Sequence, residues 1–122
     1  MKVAISTDGN QVSMHFGRCP EYTIVEIQDG KVVNRETIMN PGHQSGFLPG
    51  YLSNIGVSRI VAGGMGHRAF GLFQEQGVKP IIGVSGSIDE VINKLVKGTL
   101  EGGENICRPG LGKGYGLDKT KE

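Results

Sequence analysis

The sequence predicts an α/β protein: a five-stranded mixed sheet of order 3-2-1-4-5 with three helices on its faces. Three observations lead there. Short apolar runs rich in β-branched residues recur at 2–6, 22–27, 31–38, 58–64 and 79–84. The second and third are joined by Gln28-Asp29-Gly30, a tight-hairpin signal that makes the first three strands an antiparallel meander. The last two alternate with helical patterns, and a strand–helix–strand crossover makes parallel neighbours with helices covering the sheet. Such crossovers are right-handed, which sets strands four and five beside strand one.

In chain order the elements read β-β-β-α-β-α-β-α. The first helix lies in 47–56, where Leu48, Tyr51, Leu52 and Ile55 recur at helical spacing, Pro49 is tolerable only near the first turn, and Gly56 ends the run. The second spans 67–77 and ends at Gly77. The third, in 85–98, has the clearest pattern: Ser87 and Glu90 form a capping box, Ile88, Val91, Ile92, Leu95 and Val96 form one apolar stripe, and Gly98 is the C-terminal stop. Residues 1–100 read as a single binding domain. The remaining 101–122 carry six glycines and eight charged residues without periodicity and are expected to be a mobile tail.

Composition narrows the function. Thirteen basic and twelve acidic residues give a formal charge of +1, so no global field favours nucleic acid or an anionic membrane. With no Trp, three Tyr and four Phe, a base-stacking surface is not expected either. No apolar run approaches the roughly 20 residues that span a bilayer. The chain opens directly on a strand, without a leader pattern, and two cysteines 88 positions apart do not make a secreted-type disulfide framework. The expectation is a cytoplasmic protein with both thiols reduced.

In an open sheet of this order, ligands bind outside the carboxyl ends of the strands where the order reverses, here between strands one and four. The loops leaving those strands carry "SMHFGRCPEY" at 13–22 and "AGGMGHRAF" at 62–70. In the second, Gly63, Gly64 and Gly66 free the backbone to turn and aim its N–H groups, the helix N-terminus adds partial positive charge, and His67 and Arg68 add donors. That is an anion-binding arrangement; the plain alternative is a tight strand-to-helix turn. It is neither a P-loop nor a six-position dinucleotide pattern. In the first loop, Met14, His15 and Cys19 are soft-metal ligands within six positions and Arg18 adds a cation. His43 could close the group from the neighbouring loop, and Cys107 could lend a second sulfur from the tail. The plain alternatives are a small buried cysteine and backbone-bonded loop histidines. No CxxC or HxxxH pair points to a conventional structural zinc site, and Asp8 is the one carboxylate at a strand end, which argues against two-metal hydrolysis.

"KVAISTDGNQVSMHFGRCPEYTIVEIQDGKVV", the "NPG" at 40–42, "IVAGGMGHRAF" and the terminal "SIDEVINKLVKGTL" together resemble the dinitrogenase iron–molybdenum cofactor biosynthesis family, with its NifX- and NifY-type carriers and the C-terminal part of NifB. The similarity covers roughly residues 1 to 100. It implies a ribonuclease H-like three-layer fold without nuclease or other enzymatic activity, and noncovalent binding of an iron–sulfur or molybdenum–iron–sulfur cluster that aerobic purification could remove. The family motifs fall on His15, Phe16, Gly17 and Arg18 and on Gly63, Gly64, Met65 and Gly66; "ENICRPG" at 104–110, with Cys107, resembles tails of some stand-alone members. The implied partners are cluster donor or acceptor proteins, and the expected state is a monomer or weak homodimer. The competing reading is a regulatory module that binds a small molecule or nucleotide phosphate at the Gly63–Gly66 turn.

Overall fold

The computed structural model describes residues 1–16, 18–40 and 47–100, so the expected tail, 101–122, lies outside the described residues. Six strands and three helices follow one another as β1 (Lys2–Asp8), β2 (Gln11–Val12), β3 (Glu21–Gln28), β4 (Lys31–Met39), α1 (Phe47–Asn54), β5 (Arg59–Val61), α2 (His67–Glu75), β6 (Lys79–Ile81) and α3 (Ile88–Lys97). The sheet path is β4-β3-β1-β5-β6. β1 pairs antiparallel with β3 and parallel with β5, and β6 continues parallel to β5.

The five expected strands lie in the expected order, and the sixth corrects the count. β2 folds back on β1, with Thr7 opposite Val12 and Asp8 opposite Gln11. Two residues are too few to show a period, and their place is fixed from outside: Val12 N–H donates to the Gly86 carbonyl at 3.0 Å, and Ile88 N–H to that of Asn10 at 2.8 Å. β5 and β6 are also shorter than the apolar runs that announced them.

The local signals act as their chemistry dictates. Asp29 and Gly30 both take positive φ, 54° and 73°, as a two-residue hairpin turn with the twist of its strands requires. The Ser87 side chain accepts from Glu90 N–H while the Glu90 carboxylate accepts from Ser87 N–H at 3.2 Å, and Gly98 closes α3 in the left-handed conformation.

β1 is buried along Val3–Thr7 and divides the core. Val3 and Ile5 face α3, in a layer with Val25, Val61, Ile81, Val91 and Leu95. Ala4 faces the other way, with Tyr22, Ile60 and Leu52 of α1 and Phe73 of α2. Among the described residues no helix is long and apolar enough to cross a membrane.

The capping box gives a stability test. Ser87→Ala removes the acceptor for Glu90 N–H and should cost about 1 kcal/mol, lowering the melting temperature by about 4–8 °C for a domain of this size. Thermal unfolding followed by circular dichroism checks this; an unchanged midpoint would show that α3 does not depend on its cap.

Candidate functional site

β1 and β5 run parallel, Ala4 beside Ile60 and Ile5 beside Val61, so the chain leaves both strands at the same end of the sheet. From β1 it passes through β2 into Ser13–Cys19; from β5 it passes through Gly63–Gly66 into α2. Two backbone hydrogen bonds stitch these segments together. Gly63 N–H donates to the Ser13 carbonyl at 2.9 Å, and Phe16 N–H donates to the Gly64 carbonyl at 2.9 Å. The Phe16 ring adds a third tie. Its centroid lies 5.1 Å from that of Phe73 on α2, edge-on, and 5.8 Å from that of Tyr22 on β3.

This stitching corrects the expected role of the glycines. The Gly63 N–H is occupied by Ser13 and is not available to a ligand. None of Gly63, Gly64 and Gly66 takes the left-handed φ that would demand glycine; Gly83 and Gly86 in the neighbouring β6–α3 loop do. Gly66 sits at φ −70° and ψ 159°, and a Cβ there would meet nothing within 4 Å. Steric need therefore does not explain glycine at 66.

The charges around this turn are arranged against the helix. α3 is capped by Ser87, carries Asp89 and Glu90 in its first turn and Lys94 and Lys97 in its last, all matched to the helix dipole. α2 has no side-chain cap, no acid in its first turn and no base in its last. In place of an acid, its first turn opens with His67 and Arg68, both exposed. The Arg68 guanidinium beside the positive end of the helix is unfavourable there, and no acid in the first turn offsets it. Arg18 is also exposed, and among the described residues neither Arg18 nor Arg68 has an ion pair.

The soft ligands are less well gathered. His15 is half-buried, its N–H held by Ser13 Oγ at 3.3 Å, and Met14 is exposed. Met65 is only 1% exposed, packed in the layer between the sheet and α1 and α2. Cys19, a soft-ligand candidate beside Arg18 in the sequence, is 2% exposed in that same apolar layer, with its carbonyl held by Asn40 Nδ2 at 2.8 Å. Gly17, His43 and Cys107 lie outside the described residues. Among the described residues no group of three His, Cys, Asp or Glu could hold a metal ion.

Asn40, which in the sequence stands only as the first residue of the "NPG" stretch, ties the end of β4 to Cys19 and also donates its N–H to the Pro20 carbonyl at 3.0 Å. Ser6, whose hydroxyl closes the apolar run "KVAIS", lacks a nucleophile-elbow context in the sequence, so no role is expected of it there. The burial of Cys19 can be checked directly. In a Cys107→Ser variant, the remaining thiol should react with a disulfide reagent far more slowly in the native protein than in denaturant; complete labelling before unfolding would place it at the surface.

The comparisons with known proteins agree with this architecture. An uncharacterized protein of Methanocaldococcus jannaschii is 37% identical over 106 residues, covering 83% of this chain and 90% of its own. The crystal structure of PH0822 superposes with a TM-score of 0.77 at 33% identity, over 83% of this chain and 93% of that one. A crystal structure of a Methanocaldococcus jannaschii protein provisionally named a dinitrogenase gives 0.70 at 26% identity, over 86% and 96%. The family model described as dinitrogenase iron-molybdenum cofactor matches residues 1–98, and the chain belongs to that family.

Proposed function

We propose that the protein is a noncatalytic carrier of an anionic metal–sulfur cluster, of iron–sulfur or molybdenum–iron–sulfur type, working in cofactor assembly or delivery in the cytoplasm on a ribonuclease H-like scaffold. The observation that carries this reading is the inverted N-terminus of α2: uncapped, without acid, and bearing His67 and Arg68. It is bonded through Gly64 to the segment that bears His15 and Arg18. Clusters of this kind are anions. Helix amides and guanidinium groups attract an anion without enclosing it, and His15 offers one imidazole at the rim. A cargo held by charge and hydrogen bonds, rather than by several thiolates, can be passed on to an acceptor protein. Belonging to a family named for the iron–molybdenum cofactor supports the same reading.

The uncapped helix end suits a phosphate as well, so the deciding experiment compares the two anions. Titrated anaerobically, the protein should bind tetrathiomolybdate or a reconstituted iron–sulfur species with a visible chromophore. Nucleotides should neither displace it nor raise the melting temperature. Stabilisation by nucleotides alone would favour the phosphate-binding reading.

Two variants locate the binding. Arg18→Ala should weaken tetrathiomolybdate binding about two- to fivefold at 0.01 M salt, with the difference vanishing near 1 M as the screening length falls from about 30 Å to about 3 Å. Gly66→Asp supplies α2 with the missing cap and places a carboxylate on its positive end. Its stability should hold or rise slightly, by a few tenths of a kcal/mol, while anion binding falls. Unchanged binding in Gly66→Asp would take the anion away from α2.

A further inference from the structure

The Ser6 hydroxyl is fully buried and has no hydrogen-bond partner among the described residues. The other buried serine and threonine hydroxyls are all bonded. Thr7 Oγ1 pairs with Thr23 Oγ1 at 2.7 Å and with the Ile5 carbonyl at 2.8 Å, and Ser13 Oγ is within 3.2 Å of the His15 carbonyl. An orphaned buried hydroxyl is unfavourable in a strand whose neighbours are satisfied.

Its position gives it a use. Side chains alternate along a strand, so Ser6 shares the face of Ala4, the face covered by α2. It stands opposite Tyr22 on β3. On the parallel side the register that sets Ile5 beside Val61 brings Ser6 level with Ala62, and four residues on the chain reaches Gly66, where α2 begins. The Ser6 carbonyl accepts from Ser13 N–H at 2.7 Å, so the segment leading to Arg18 starts directly beside it. Gly64 is a buried residue, and its N–H donates to no described residue. Among the described residues, an O–H without a partner on β1 and an N–H without one in the turn between β5 and α2 thus belong to the two parallel strands whose outgoing segments are bonded together.

We infer that Ser6 is the innermost donor of this site, its hydroxyl donating to a terminal sulfide or oxide atom of the bound anion. The inference rests on the anion-carrier reading and deepens it. Arg18, Arg68 and the helix end attract the anion at the surface; Ser6 fixes its buried end. In the free protein the hydroxyl is a local destabilisation that the anion relieves, and the anion must displace part of the cover above Ser6 to reach it.

Ser6→Ala tests this with two readouts of opposite sign. Without anion the variant should melt higher than wild type, by roughly 4–8 °C if about one unsatisfied hydroxyl's worth of stability is recovered. Titrated with tetrathiomolybdate, it should bind about tenfold more weakly. Ser6→Cys, nearly the same size but a weak donor, should share the loss of affinity. Equal affinity in Ser6→Ala and wild type overturns the inference while leaving the carrier reading intact. A lower melting temperature in Ser6→Ala overturns it as well, because the hydroxyl is then satisfied in the free protein, as by an enclosed water. If wild type binds no anion, the carrier reading itself fails and this inference falls with it.

Discussion

β1 pairs in opposite senses with its two neighbours on the sheet path, antiparallel to β3 and parallel to β5, and the candidate site exists because of that switch. Parallel neighbours send their outgoing chains to the same end of the sheet, which is why Ser13–Cys19 and Gly63–Arg68 meet although they are some 50 residues apart in sequence. The antiparallel side contributes differently. β3 begins and β4 finishes at that end, so Asn40 can reach back to hold Cys19 and Pro20. Burial of β1 on both faces anchors the start of this junction in both layers of the core, while the segments that leave the strands lie outside it.

The two helices that follow the parallel strands are treated in opposite ways. α3 has nearly every local device for stability, with its cap, its matched charges and its left-handed stop. α2 lacks a side-chain cap, reverses the charges and depends on Phe73 and its neighbours packing on the sheet. Packing supplies most of a helix's stability in a folded protein, so α2 can tolerate a poor N-terminus. A chain that builds one helix so carefully and another so carelessly has a use for the careless end, since departures from local consistency concentrate at functional positions.

Much of the fold could be read from the chain because its signals are local. Asp29-Gly30 specifies a hairpin from two residues, and Ser87 with Glu90 specifies a helix start from four. What could not be read is set by partners remote in sequence. β2 is held by Gly86 and Ser87, more than 70 positions away, and Cys19 is buried in a layer whose other members, among them Ala4, Ile60 and Phe73, come from distant parts of the chain. Nothing in "GRCPE" distinguishes a thiol facing solvent from one facing those residues. The glycines of 63–66 misled for a related reason. Glycine in a turn suggests unusual φ, whereas here Gly63 and Gly64 serve as backbone partners for a loop that the sequence does not show beside them.

The two borders of the sheet discourage the addition of a further strand. β6 is three residues long and contains Pro80, which has no N–H to offer another strand. β4 is nine residues long, yet it alternates little and carries Lys31, Arg35 and Glu36, and a register shift opposite Glu26 and Ile27 leaves Val33 outside the pairing. For a carrier of the kind proposed above, which would meet other proteins and release them, a shared sheet grown at each encounter would be a liability. With both margins unsuited to strand addition, an encounter can be brief.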